Sequence, residues 1–258
     1  MTADATRPCR SIAVGILTVA ALVGAPAAAH AQDADSAIPH RPDVTVEEYI
    51  EYVVKDLDTT WSKVFAEWGY AEPVVGVTTL SKGQSFTSAC HDPGKRRVPV
   101  TDTTENAFYC PIDEIVLDGK KYAGNLILPV TSFQKMWQGN VFGRRSEVPG
   151  DFAAAVVVAH EFGHHIEDEM AIQSRSPHPK GKNKELIADC YAGVWMNSAY
   201  YRGILTDTDP DEAKATMIAI GDTGVSSDPH GSPAERSAAL MTGYNEGTAQ
   251  ACITDYWK

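Results

Sequence analysis

The sequence predicts an α+β fold: a small, mainly antiparallel sheet in the first half of the chain and a helical half after it. Residues 73–129 are short β-prone runs cut by Gly, Pro and Asp. From residue 151 onward, long apolar stretches recur at helical spacing, and no internal repeat interrupts the change of pattern. At 258 residues, 43% apolar and 22% charged, the chain can bury a core and lacks the composition of a disordered or polytopic membrane protein. Its net charge of −12 would repel a phosphate backbone, so nucleic acid is not an expected partner.

Residues 12–25 form an apolar run, preceded by Arg7 and Arg10 and followed by Ala29-His30-Ala31. These are the three parts of a secretory signal peptide. The run is shorter than the roughly 20 residues of a spanning helix and meets Pro26. Cleavage after Ala31 is therefore expected, with an uncleaved anchor as the alternative. The predicted organisation is a signal peptide at 1–31, a mobile Asp-, Ala- and Pro-rich leader at 32–43, and one domain at 44–258. The mature protein is expected in the medium or the cell envelope, without stable membrane insertion. Nothing in the sequence indicates its oligomeric state.

The five cysteines are an odd number until cleavage removes Cys9. Cys90, Cys110, Cys190 and Cys252 remain, an even set that suits an oxidising compartment. Of the three pairings, Cys90 with Cys110 closes a modest loop rich in turn residues. Cys190 with Cys252 would then pin the C-terminus to the middle of the domain. A four-cysteine zinc site is disfavoured by the absence of any Cys-x-x-Cys.

Thr45-Val46-Glu47-Glu48 fits a capping box and opens a helix whose apolar residues, Val46 to Trp68, recur on one face. Strand runs follow at 74–80, 107–110, 114–117 and 125–129, then a Gly-rich loop at 137–150. Asp151 is placed to cap a long helix reaching about Met170, and residues 174–183 form a polar connection. A third helix is expected at 184–201. Asp209-Pro210 opens a fourth, and Ser232-Pro233-Ala234-Glu235 a fifth.

The long helix carries His160-Glu161-Phe162-Gly163-His164. Residues four apart share a helical face, so both imidazoles can reach one metal ion while Glu161 meets a water bound to it. By chance this pattern arises only on the order of 0.01 times in such a chain. Zinc suits two neutral imidazoles plus a carboxylate, with an open position for a water of lowered pKa. The third ligand must come from another element, and Glu185, on the next predicted helix, offers one. Asp189 lies one turn along the same face, where it could accept the second ring N–H of a ligand histidine. The plainer reading makes both residues surface acids near a helix start.

In order and spacing, several blocks resemble the bacterial neutral zinc metallopeptidase family across about residues 49–256. They are Phe108-Tyr109-Cys110-Pro111-Ile112-Asp113, the residues around His160-Glu161, Glu185-Leu186-Ile187-Ala188-Asp189-Cys190, Ile220-Gly221-Asp222 and His230-Gly231-Ser232. The resemblance implies a gluzincin-type zincin fold with His160, His164 and Glu185 as zinc ligands and Glu161 as general base. Phe162, Glu167 and His91 stand where other members often carry different residues, which bears on substrate preference.

His230 is either the catalytic donor to the oxyanion or a plain loop residue. The His230 to Arg236 spacing is similar to that in membrane-bound prenyl-protein proteases, so Arg236 is either a further oxyanion donor or a structural partner of Glu235 or Asp189. The strand around 108–116 could pair with an extended peptide or be merely structural. His165 should be packed or solvated, His178 exposed, and Asp168 and Glu169 no more than solvating groups at the helix end. The expected function is a zinc-dependent peptidase, read as an endopeptidase, acting on a peptide or protein. The rivals are a catalytically silent binding or assembly protein that keeps its metal, and an iron site built on the same ligand set.

Overall fold

Thr45 caps α1 (Val46–Glu67) as its sequence predicts: the Glu48 amide donates to Thr45 Oγ1 at 3.2 Å, and the Glu48 carboxylate accepts the Thr45 amide at 2.8 Å. The computed structural model describes residues 44–91, 99–117, 119–224 and 229–258. The signal peptide and leader expected at 1–43 lie outside these residues. The apolar face of α1, from Val46 through Tyr49, Val53, Leu57 and Trp61 to Phe65, is fully buried. On its flank, Asp56 accepts from Trp195 Nε1 at 2.8 Å and from Arg202 Nη2 at 2.8 Å, which ties α1 to a helix more than a hundred residues away.

The fold is α+β. β1 (Gly76–Leu80), β4 (Phe108–Leu117) and β5 (Lys120–Pro129) form a sheet in the order β1-β5-β4. β4 and β5 make an antiparallel hairpin, whereas β1 runs parallel to the other edge of β5. The strand pairing is thus mainly antiparallel, as expected, with β1 as the one parallel neighbour, which the long stretch between β1 and β5 allows. The separate runs at 107–110 and 114–117 are one strand, with a bulge between Cys110 and Glu114. Pro111 sits in that bulge, and having no amide proton it cannot sustain the ladder. β2 (Ser85–Phe86) and β3 (Val100–Thr101) form a small antiparallel pair.

α2 (Val130–Met136) follows β5 without a break and was not legible as a helix. The region read as a loop holds a tight hairpin, β6 (Asn140–Val141) and β7 (Arg144–Arg145). Phe142 and Gly143 turn it with φ of 50° and 80°, the backbone of a two-residue hairpin loop.

The helical half comprises α3 (Phe152–Ser174), α4 (Asn183–Tyr201), α5 (Asp209–Ile220), α6 (Pro233–Glu246) and α7 (Ala249–Tyr256). The last was not anticipated. Asp151 occupies the N-cap position of α3, but its side chain makes no capping hydrogen bond; the Phe152 amide instead donates to Glu212 Oε2 at 3.1 Å from α5. Disulfides join Cys90 to Cys110 and Cys190 to Cys252, the second fastening α7 to α4. Among the described residues no helix is long and apolar enough to cross a membrane.

Candidate metal centre

α3 is buried along almost its whole length, so the polar side chains of its middle turns open into a cleft rather than into bulk water. His160, Glu161 and His164 offer ligand atoms that all lie within 4.8 Å of one another. Glu185, in the first turn of α4, faces them: its Oε2 is 3.3 Å from His160 Nε2, and its Oε1 is 3.6 Å from His164 Nε2. Ligand atoms about 2.1 Å from a tetrahedral zinc stand about 3.4 Å from each other. Each imidazole Nε2 thus stands at about that spacing from one oxygen of the Glu185 carboxylate.

Small residues permit this approach of helices. A Cβ on Gly163 would lie 2.7 Å from the Ala188 carbonyl oxygen and 3.0 Å from its Cα, so glycine lets α3 and α4 touch beside the histidines. Gly193 and Gly243 do the same between α4 and α6: a Cβ on Gly193 would lie 2.0 Å from the Leu240 carbonyl oxygen, and one on Gly243 1.9 Å from that of Cys190. That contact brings Arg236 of α6 against Asp189.

Asp189 is wholly buried. Its Oδ1 lies 2.8 Å from His160 Nδ1, and it accepts two bonds of 2.8 Å from Arg236 Nε and Nη2. His160 is thereby held with Nε2 toward Glu185. Arg236 Nη2 is 3.3 and 3.4 Å from the two ring nitrogens of His160. Near-equal distances place it over the ring face, since an in-plane approach would collide with Cε1. Arg236 is therefore the partner of Asp189; Glu235 pairs with Lys182 instead.

The electrostatics favour a cation at this place. Burial disfavours an imidazolium at His160 and Arg236 opposes it too, yet Asp189 and Glu185 outweigh both and lift its pKa to about 10. Burial also pushes the Glu185 carboxyl up, but the facing imidazoles more than compensate and hold it well below the usual range. Asp189 is likewise held low against burial by Arg236 and His160. Glu161 differs: burial dominates and raises its pKa although both histidines pull it down. Its Oε2 accepts the Tyr109 amide at 3.1 Å, so the outer edge of β4 orients it.

His160, Glu161, His164, Glu185 and Arg236 line a cavity of about 780 Å³ between β4, α3, α4 and the α5–α6 connection. His230 lines it as well. Its amide donates to Asp222 Oδ2 at 2.7 Å, its Nδ1 stands 3.8 Å from Asp222 Oδ1, and its ring is half exposed. Three other lining residues, Tyr109, Asp168 and His178, were given no role in the site by the sequence. Tyr109 donates through its hydroxyl to Asp168 Oδ2 at 2.9 Å. Asp168 therefore faces the cleft and does more than end the helix. His178 is exposed as expected but holds Glu167 at 2.8 Å. His165 is fully buried, its ring against Tyr109 and Phe162. The i+4 spacing from His164 to Asp168 was the available signal for the second of these.

A family model described as "Putative neutral zinc metallopeptidase" matches residues 12–255. An uncharacterized protein of Mycobacterium bovis is 30% identical over 176 residues, 57% of this chain and 54% of the relative. The uncharacterized protein YpfJ of Escherichia coli K12 is 24% identical over 230 residues, 80% of this chain and 70% of the relative. The chain spans about half the length of the mycobacterial relatives it matches. No solved structure gives a significant match.

Proposed function

The chain belongs to the family described as "Putative neutral zinc metallopeptidase", and from that premise we propose that it is an exported, zinc-dependent peptidase with a zincin-type site. The observation that carries this reading is the spacing of Glu185 from both histidines, 3.3 and 3.6 Å, beside a buried Glu161. His160 and His164 through Nε2, with Glu185, would hold the ion. When bound, zinc supplies a Lewis acid and lowers the pKa of a water at its open position.

The chain's own groups do the rest. Glu161, fixed by the Tyr109 amide and of raised pKa, is matched to take a proton from the attacking water and deliver it to the leaving amine. Asp189, backed by Arg236, keeps the proton of His160 on Nδ1 and so frees Nε2 for the metal. His230 is the wall residue assigned to donate to the developing oxyanion. The edge of β4 beside Glu161 supports an extended peptide as substrate. The N-terminal signal pattern and the two disulfides support export.

The test is metal content together with turnover of a diverse peptide library by the purified mature protein. Stoichiometric zinc with cleavage abolished by a chelator and restored by zinc is the expected result. Bound zinc without turnover would favour the silent binding protein.

A further inference from the structure

The floor of the cleft is α3, and its character changes along the helix. Val157, three residues before His160, shares the cavity lining with Phe142 and Ile220; beyond His164 the lining includes Glu167, Asp168 and His178. His178 is placed by interactions unrelated to the metal. Its Nδ1 is 2.8 Å from Oε1 of Glu167, a carboxylate only 7% exposed. The segment that carries it is fixed on both sides: Trp257 Nε1 donates to the Pro177 carbonyl at 2.9 Å, and the Lys180 amide donates to the Lys258 carbonyl at 2.9 Å. The end of the chain thus holds an exposed histidine at one end of the cleft.

A carboxylate only accepts, so Glu167 draws the ring proton to Nδ1 and leaves Nε2 as an acceptor. Nε2 stands 3.8 Å from Asp168 Oδ1, too far for a hydrogen bond between them. Asp168 is itself oriented through Oδ2 by the Tyr109 hydroxyl, which leaves Oδ1 toward His178. Two acceptors 3.8 Å apart leave room for a donor about 2.8 Å from each, and a guanidinium can give one N–H to each.

We propose that Asp168 and His178 form a subsite that selects a basic side chain, Arg or Lys, on one side of the scissile bond. The proposal rests on the peptidase reading above. It also gives the buried Glu167 a role, which is to orient His178. Glu167 is a positioning residue, and Asp168 makes the contact.

The probe is a set of hexapeptides differing only in Arg, Lys, norleucine or Glu at one position. Cleavage is measured with the zinc-loaded protein, and binding with its Glu161→Gln variant. The expected preference for Arg over norleucine is about tenfold or more in kcat/KM. Asp168→Asn keeps an acceptor for Tyr109 and should bring that ratio close to one, while Asp168→Lys should turn the preference toward Glu, an outcome that misfolding does not imitate. Cleavage without a basic preference, or a preference that survives Asp168→Asn, overturns the subsite and leaves the peptidase standing. Absence of cleavage, with Arg peptides bound tenfold tighter and this lost in Asp168→Asn, rejects the peptidase and supports the subsite. Neither cleavage nor selective binding rejects both.

Discussion

Asp189 Oδ1 stands 2.8 Å from His160 Nδ1 while the same carboxylate neutralises Arg236 from behind. Arg236 is 3% exposed, so removal of its partner would leave a buried charge uncompensated. Asp189→Ala should cost about 3–5 kcal/mol of stability and weaken zinc binding about 10- to 100-fold. Urea unfolding and competitive zinc titration give the two numbers. An unchanged zinc affinity would deny that Asp189 orients the ligand.

On the proposed function, Glu161 serves the chemistry rather than the ion's hold. Glu161→Gln should lower kcat by about 10²- to 10⁴-fold with zinc content unchanged. Loss of zinc from this variant would instead make Glu161 a ligand.

Gly163 sets the distance between α3 and α4. Gly163→Ala places a methyl group 2.7 Å from the Ala188 carbonyl oxygen. The forced separation should destabilise the fold by about 1–3 kcal/mol and lower zinc affinity, because Glu185 and Asp189 move with α4. Thermal melting with and without zinc would reveal both effects. A variant as stable as the parent would show that the helices have slack here.

Burial holds the His165 pKa down at about 4, against 6.5 for a free imidazole. Below pH 6.5 the unfolded chain takes up this proton and the folded one does not, so the contribution is whole above 6.5 and is lost as pH falls toward 4. The loss approaches about 3 kcal/mol. His165→Leu, close in volume and without a titrating group, should flatten that part of the stability curve. Urea midpoints at about pH 7.5 and about pH 4.5 for both proteins test this; parallel acid losses would assign the effect to other groups.

The disulfides differ in what they restrain. Cys190–Cys252 spans 62 residues and Cys90–Cys110 spans 20, so chain entropy assigns them about 4 and about 3 kcal/mol. Paired Cys→Ala variants should follow that order in unfolding free energy, and the reverse order would point to native-state contacts instead of loop closure.

Much of the candidate site was legible because it is local. His160, Glu161 and His164 are brought together by helical periodicity alone, and Thr45 and Ser232 announce their helices because a capping box closes within four residues. The α+β division follows from a change of period that needs no partner to be seen. Strand direction was not legible: the residues of β1 carry no mark of whether they pair with β5 parallel or antiparallel. Nor did Asp151 reveal that Glu212, far along the chain, would take over its capping bond.

By itself, then, the sequence determined the elements, the pair of histidines with their neighbouring glutamate, and the cysteines available for pairing, since each depends on spacing along one segment. Only the tertiary structure decided what meets that segment. It set Glu185 opposite both imidazoles, committed Arg236 to Asp189 rather than to Glu235, and brought His178 across from Asp168. The physical reason is that these relations depend on how closely α3, α4 and α6 approach. That distance is set by glycines whose missing side chains matter only against the backbone they face.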